Sequence, residues 1–251
     1  MDTRSFAPIS PAPGMPLYRA VKRALLRAIE DGTLAPGATL PSETPLAAAF
    51  GVSVGTLRQA VGELVAEHIL LRRQGRGTFV ATHSSERFLF QFFHVERGDG
   101  LREVPNVELL AFERGRLDDE AAEALGQRAG DAAWLVENRL LLQGRAVVHD
   151  RLQLPLALFK GLTERRLRTR PGTIYRLYQD DFGITVLRVQ ERARAVAAGH
   201  GVSRVLGVAP GTPMLQLRRT ALSFGDRPVE YRVSTVHTAL HDYVQTLSPP
   251  V

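Results

Sequence analysis

Residues 40–80 constrain the fold of this 251-residue chain more than any other segment. They read as a short helix, a tight turn, a second helix and then a basic hairpin that contains glycine. That order of elements is typical of a winged helix-turn-helix, whose second helix enters the major groove of DNA. The segment therefore predicts double-stranded DNA as a partner.

Hydrophobic periodicity predicts where the helices lie. After Gly55 the apolar residues recur at helical spacing, so one face of that helix packs and the other is free to touch a partner. The preceding helix is predicted over residues 43–50, with Ser42 as its N-cap and Gly51 in the turn that follows. An upstream amphipathic helix ends near Asp31, which gives three short helices around a small core. The apolar positions after Gly55 are Leu57, Ala60, Val61, Leu64 and Val65.

The hairpin that follows the helices is the predicted wing. Two short strands, residues 69–73 and 78–80, flank a turn whose glycines let the backbone bend tightly and approach a surface. Arg72, Arg73 and Arg76 carry positive charge with no acidic residue between them, as contacts to phosphate require. For the hairpin, the alternative is a basic surface exposed only to solvent. For Arg58, an exposed arginine of the helix after Gly55, the alternative is an ion pair with a nearby carboxylate.

The segments LPSE, FGVS and QGRGTFV, in this order, resemble the DNA-binding domain of the GntR family of bacterial transcription regulators. The family usually has arginine after LPSE and after GVS, but here these positions hold Thr44 and Val54. Each missing arginine removes roughly 1 to 3 kcal/mol of base discrimination, so the resemblance implies an unusual operator. Arg58 matches the remaining base-reading arginine. The implied DNA contacts are Ser42, Thr44, Ser53, Val54, Gly55, Thr56, Arg58, Gln59, Arg73, Gln74, Gly75, Arg76 and Gly77.

Composition excludes several kinds of site and segment but does not itself indicate a function. The net charge is +6, but residues 1–82 hold nine basic and six acidic residues and the remainder holds 23 and 20, so charge is not concentrated in the predicted DNA-binding part. The chain has no cysteine, which excludes disulfides and thiolate metal sites. Its Pro-rich opening lacks the apolar run of a signal peptide or membrane span. We therefore expect a cytoplasmic protein without membrane contact, with residues 1–15 as a flexible arm and the winged helix over residues 16–82.

A second domain is predicted over residues 83–251, after a polar joint at residues 82–87. Two helical segments, residues 118–125 and 174–182, interrupt runs typical of strands. Hairpin turns are predicted at residues 143–144 and 224–227, so the domain is expected to be mostly antiparallel α+β. The predicted strands are residues 88–95, 104–113, 133–142, 146–154, 186–197, 213–223 and 229–236.

The segments RLLLQGRAVVHDRLQLPLALFKGL, GTIYRLYQDDFGI and PVEYRVSTV resemble the UTRA ligand-binding domain of the HutC subfamily of GntR regulators. The resemblance implies a chorismate-lyase-like fold without that enzyme's activity. It also implies dimerisation through this domain, and binding of a small metabolite such as a sugar phosphate, urocanate or a fatty acyl compound. The expected architecture is thus a winged helix-turn-helix followed by an effector domain.

By position, the resemblance places Arg139, Asp150, Thr173, Tyr175 and Glu230 in the effector pocket. Arg232 joins them because alternate residues of a strand share a face. The family's second strand arginine is replaced by Leu141, and a single arginine is a weaker clamp for phosphate or carboxylate. An anionic effector is still one option, although a phosphosugar is disfavoured.

Structural roles for the same pocket residues stay open. Arg139 could form a cross-strand ion pair with Asp150, Glu230 could be an exposed or dimer-contact charge, and Tyr175 could be core packing. His237 and His241 have metal-ligand spacing only for a helix, whereas this segment is strand-like.

The two resemblances in tandem predict a transcriptional regulator that responds to a small molecule. A repressor that binds a palindromic operator as a homodimer is favoured, with no catalytic residues, metal or cofactor. Two alternatives remain: an enzyme using Asp150 and Glu230 as acid and base, and a non-specific architectural DNA-binding protein.

Overall fold

The computed structural model describes residues 6–245. The chain divides between Thr82 and His83 into two compact units, an N-terminal unit and a C-terminal unit. Within the described residues, no helix is both long enough and apolar enough to cross a membrane.

The N-terminal unit is a three-helix core with a two-stranded wing. The turn between the second and third helices places Gly51 at φ 66°, a left-handed conformation that glycine adopts without steric cost. Buried Leu25, Phe50, Leu57 and Leu64 fill the core, so the predicted packing faces are confirmed. The elements are α1 (Leu17–Glu30), α2 (Glu43–Phe50), α3 (Val54–Ala66) and the antiparallel strands β1 (Leu70–Arg73) and β2 (Gly77–Val80).

The opening segment, expected to be a flexible arm, contacts the end of α2 where it is described. The backbone N–H of Ile9 donates to the Phe50 carbonyl at 2.9 Å, and the Phe6 ring meets the Phe50 ring edge-on at 5.2 Å between centroids. Half-buried apolar side chains and a backbone hydrogen bond therefore attach this segment to the end of α2, offsetting part of its entropy cost. Residues 1–5 lie outside the described residues.

A six-stranded antiparallel sheet organises the C-terminal unit, in the order β4-β5-β6-β9-β8-β7. Its strands are β4 (Asn106–Arg116), β5 (Ala132–Leu142), β6 (Arg145–Pro155), β7 (Arg188–Ala197), β8 (Pro213–Leu222) and β9 (Pro228–Val236). A separate pair joins β3 (Val95–Arg97) to β10 (His241–Tyr243). The helices are α4 (Ser85–Gln91), α5 (Asp119–Leu125), α6 (Glu164–Thr169), α7 (Ile174–Phe182) and α8 (His200–Leu206). The mostly antiparallel α+β prediction is confirmed.

The helices cover both faces of this sheet. Side chains of α4, α6 and α7 pack on one face in the main core, which includes Phe92, Tyr175 and Tyr178. A smaller cluster places α5 against Tyr231 on the opposite face. Since side chains alternate along a strand, Glu230 and Arg232 lie on the face covered by α7.

Part of the secondary structure differs from the prediction. The predicted strand over residues 88–95 is not formed. Helix α4 continues to Gln91, and the strand β3 begins only at Val95. Phe88 and Phe92 are four residues apart and both buried, so a helical turn places them on the same face, and packing overrides the strand preference of aromatic residues. Helices α6 and α8 were not predicted, because each is less than two turns long and shows little periodicity.

Candidate functional site

Helix α3, the predicted DNA-reading helix, begins with a capped and exposed first turn. Ser53 is its N-cap, and the Ser53 Oγ accepts a hydrogen bond from the backbone N–H of Thr56 at 3.1 Å. Gly55, Arg58 and Gln59 are exposed, and Val54 is half-buried. The amino end of α3 therefore presents several sequence-predicted DNA contacts to solvent.

Glu43 connects helix α3 to the wing. Arg58 Nε donates to Glu43 Oε2 at 2.6 Å, and Arg72 Nη2 lies 3.9 Å from Glu43 Oε1. The alternative in which Arg58 pairs with a nearby carboxylate is thus present in the structure. The Arg58 side chain nevertheless remains 65% exposed to solvent, so the pair with Glu43 does not bury it.

The wing keeps its basic residues at the surface. Gly75 has φ 69°, which lets the hairpin turn between Gln74 and Arg76. The Arg73 guanidinium lies over the Phe79 ring at 5.3 Å from its centroid, while Arg76 is exposed. A groove of about 390 Å³ runs between the wing, α3 and the start of α2, where Ser42 is exposed but makes no side-chain capping bond. Thr44 is also exposed in this first turn of α2.

A cavity of about 50 Å³ lies inside the C-terminal unit, on the sheet face covered by α7. The polar part of its wall comes from the middle strands and from the segment that leads into α7. These polar residues are Asn138, Asp150, Arg170, Thr173 and Arg232. The apolar part is formed by Phe88, Val104, Pro105, Val107, Leu140 and Ile174.

Behind the cavity wall, Glu230 is fully buried and fully hydrogen-bonded. It accepts from the hydroxyls of Tyr178 at 2.6 Å and Tyr175 at 3.2 Å, and from Arg232 Nε and Nη2 at 2.9 and 3.1 Å. Burial, reinforced by the charge of Glu230, raises the pKa of Tyr175 to about 12, so this tyrosine is a neutral donor at physiological pH. Burial alone would lower the pKa of Arg232, but the carboxylate of Glu230 outweighs it and raises that pKa well above its ordinary value.

Two charged groups of the cavity wall are incompletely hydrogen-bonded. Asp150 is 2% exposed, and its Oδ2 accepts from Arg232 Nη1 at 3.2 Å. Among residues 6–245, neither Asp150 Oδ1 nor Arg170 Nε has a hydrogen-bond partner, although both atoms are buried. Burial lowers the pKa of Arg170. The cavity wall therefore contains one acidic acceptor and one basic donor that a ligand could satisfy.

The structure brings together only part of the predicted pocket. Asp150, Thr173 and Arg232 line the cavity, whereas Tyr175 and Glu230 lie behind its wall. Tyr175 is 0% exposed and packs in the core as well as donating to Glu230.

Arg139 lies on the opposite face of β5. Its Nη2 is 2.5 Å from Glu108 Oε2, and its cross-strand neighbour on β6 is His149. The interpretation of Arg139 as the ion-pair partner of Asp150 is wrong, because the register places Asn138 opposite Asp150. A one-residue difference in register moves a side chain to the other face of the sheet.

Sequence reasoning missed two cavity residues, Asn138 and Arg170. Asn138 could have been found from the β5–β6 hairpin register, since it lies directly opposite Asp150. Arg170 stands among several arginines in RRLRTRPG, and nothing local distinguishes it from the others.

His83, the first residue of the C-terminal unit, is packed against the helix that bounds the cavity. Its backbone N–H donates to Gln179 Oε1 at 3.3 Å, and its carbonyl accepts from Thr173 Oγ1 at 3.5 Å. The Val186 backbone N–H donates to His83 Nε2 at 3.2 Å, and the His83 ring lies 5.9 Å from that of Tyr175. Thr173 is thus both a cavity residue and a contact of His83.

The described part of the chain contains no cluster of three His, Asp or Glu side chains arranged to hold a metal. His241, the first residue of β10, has its Nε2 3.1 Å from Oε1 of Gln143, which lies in the turn between β5 and β6.

Comparison with known families assigns both units. Residues 17–80 match the model of bacterial regulatory proteins of the gntR family, and residues 101–242 match the UTRA domain model. A solved ligand-binding domain from Bordetella bronchiseptica, assigned to the GntR family of transcriptional regulators, is 32% identical. That match covers 63% of this chain and 99% of that one, with a TM-score of 0.60.

Curated relatives agree with both domain assignments. The mannosyl-D-glycerate transport/metabolism system repressor MngR of Escherichia coli K12 is 28% identical over 92% of this chain and 95% of its own length. The histidine utilization repressor of Klebsiella aerogenes is 36% identical over 46% of this chain and 48% of its own length. The chain therefore belongs to the GntR family of bacterial regulatory proteins, as a DNA-binding regulator of the HutC type with a UTRA domain.

Proposed function

We propose that this protein is a transcriptional repressor whose affinity for its operator changes when a small molecule binds in the cavity of its UTRA domain. The observation that carries the proposal is the cavity itself, whose wall contains the incompletely hydrogen-bonded Asp150 and Arg170. Repression is supported by the relatives, since both MngR and the histidine utilization repressor are named as repressors.

The DNA-binding part of the proposal rests on the exposed end of α3 and on the wing. Arg58 and Gln59 would reach base edges, while Arg73 and Arg76 would contact phosphates. The remaining proposed contacts are the sequence-predicted positions at the starts of α2 and α3 and in the wing turn. Two copies would bind a palindrome with half-site centres about 34 Å apart, one turn of DNA.

Coupling between cavity and operator would begin at α7. Thr173 lines the cavity and also contacts His83, which follows directly on Thr82, the last residue of the DNA-binding domain. A ligand that moves Thr173 would thereby shift the position of His83, at the start of the C-terminal unit. A coupling free energy of about 1 to 3 kcal/mol would alter operator affinity about 5- to 150-fold.

Catalysis in the cavity is not proposed. Glu230, one of the two carboxylates considered for acid–base chemistry, already accepts two hydrogen bonds on each oxygen from protein groups. It has no free lone pair with which to take a proton from a substrate.

The proposal is tested by selecting duplexes from a random library with the full chain, and by footprinting the best sequence. We expect a protected palindrome, with binding that weakens in the presence of one compound from a metabolite panel. Such a panel includes mannosyl-D-glycerate and histidine, after the relatives' names, together with acidic and sugar metabolites. Binding to all sequences alike, with a steep salt dependence, would instead indicate a non-specific DNA-binding protein.

A further inference from the structure

The charges around the cavity cancel. Asp150 and Glu230 are acidic, and Arg170 and Arg232 are basic. Arg219, on neighbouring β8, is neutralised in turn by Glu191, with Arg219 Nε 2.7 Å from Glu191 Oε1. The site thus has no excess positive charge with which to bind a phosphate, whose charge at pH 7 is about −1.5 to −2.

Although the total is neutral, the charges are not all paired. Arg232 contacts both Asp150 and Glu230, so these three side chains together carry one excess negative charge. Arg170 forms no ion pair with any of the described carboxylates; its Nη1 donates to the Leu167 carbonyl. The charged groups around the cavity therefore comprise an acidic cluster and an unpaired cation.

Asp150 and Arg170 each have one buried atom without a hydrogen bond among the described residues. Asp150 Oδ1 can accept a hydrogen bond, and Arg170 Nε can donate one. Leaving such buried atoms unpaired is costly, so a ligand that satisfies both gains affinity and one that satisfies neither is rejected.

The size of the cavity limits how far apart the ligand's two groups can be. A volume of about 50 Å³ accommodates a few heavy atoms, since a cavity needs roughly 10 to 15 Å³ of such space to hold one water molecule. The group that faces Arg170 and the group that faces Asp150 must therefore be attached to the same or adjacent carbons. Any larger remainder would extend past Val104, which is 43% exposed at the cavity wall.

We propose that the cavity binds the head group of an α-amino or α-hydroxy acid, with the ligand carboxylate on Arg170 and its ammonium or hydroxyl on Asp150. This inference rests on the proposed function, because it names the ligand class of the same cavity. It also makes phosphorylated compounds poor ligands, since an added phosphate would lose its water without gaining an unpaired cation.

The test is calorimetric titration of the full chain with two matched pairs of compounds. L-serine and D-glycerate carry the proposed head group, while O-phospho-L-serine and 3-phospho-D-glycerate add a phosphate. We expect the unphosphorylated member of at least one pair to bind about tenfold or more tightly than its phosphorylated counterpart.

Two variants locate the binding. Arg170→Met keeps most of the buried stem but removes the guanidinium, and should weaken binding of the unphosphorylated compound about tenfold or more. Arg165→Met, at an exposed arginine of α6, the helix that ends directly before Arg170, should bind like the wild type.

Three results overturn the inference: tighter binding of the phosphorylated members, no binding of any of the four, or unchanged binding by Arg170→Met. None of these results touches the proposed function by itself. A chain that protects a palindrome and is released by a phosphorylated compound would retain the proposed function and refute this ligand class.

Discussion

The carboxylate of Glu43 lies 2.6 Å from Arg58 Nε, so the residue expected to read a base is held by an acidic residue of the neighbouring helix. The pair is exposed, and exposed ion pairs contribute only about 0 to 1 kcal/mol. A bidentate contact with guanine discriminates by about 1 to 3 kcal/mol, so Arg58 can leave Glu43 for a base at little cost. Glu43 therefore orients Arg58 without preventing the base contact that we propose for it.

Arg58→Ala should remove discrimination at one base-pair position by about 1 to 3 kcal/mol, while affinity for unrelated DNA changes little. Competition binding against a set of single-position operator variants measures this. Arg128→Ala, at a 91%-exposed side chain of the UTRA domain, is the control. Equal loss of affinity on every sequence would show that Arg58 contacts the backbone instead.

Glu43→Gln should strengthen binding to unrelated DNA, because it removes a negative charge from the surface that we propose faces the DNA phosphates. A change of about 1 kcal/mol, or roughly fivefold, is expected at low salt, and it should shrink as salt screens the interaction. Fluorescence anisotropy with a non-operator duplex measures the effect. An unchanged affinity at every salt concentration would place Glu43 away from the DNA.

Arg76→Ala should weaken binding to operator and unrelated DNA alike, because this exposed wing arginine is proposed to contact phosphate rather than a base. Loss of one phosphate contact reduces the slope of log affinity against log salt by about 0.9. Titrations at several salt concentrations give that slope. Should the variant lose affinity for the operator alone, the wing would be reading sequence.

How much of this molecule could be predicted depends on the range of the interactions. The N-terminal unit was predictable almost to its helix boundaries, because helical periodicity, Ser53 and Gly51 act within a few residues. The side of the strand on which Arg139 lies was not, because it depends on the register of β4, β5 and β6. Register is fixed by pairing between residues distant in sequence, and a shift of one position reverses every side chain.

Arg170 shows the same limit in the cavity. It lies just after α6 and is brought to the wall by the packing of α6 and α7, which the local sequence does not reveal. Arg232 was predictable, since it shares a strand face with Glu230 by simple alternation.

Stability should fall as the pH decreases below the ordinary histidine pKa of 6.5, with His94 contributing. Burial and the charges of Arg219 and Arg102 lower the pKa of His94, although Glu191 partly opposes them. Below pH 6.5 the unfolded chain therefore binds protons more readily than the folded chain, so the free energy of unfolding decreases as the pH falls. Well above pH 6.5 His94 is neutral in both states, and its effect on the free energy of unfolding vanishes. Urea denaturation between about pH 5.5 and 7.5 measures the slope. His94→Gln should flatten it, and an unchanged slope would assign the effect to other groups such as His241.

His83→Ala should uncouple the cavity from the operator. The side chain accepts the Val186 N–H and packs against Tyr175, so its removal loosens the start of the C-terminal unit from the helix that bounds the cavity. In the wild type, coupling is reciprocal, so binding of the selected duplex should change amide hydrogen exchange in α7. We expect this change to disappear in His83→Ala while affinity for the duplex is retained. His83→Gln, which restores an acceptor, should recover part of the response, and His200→Ala, at an exposed histidine, should behave like the wild type. A folded His83→Ala variant whose α7 still responds fully to DNA would mean that coupling takes another route.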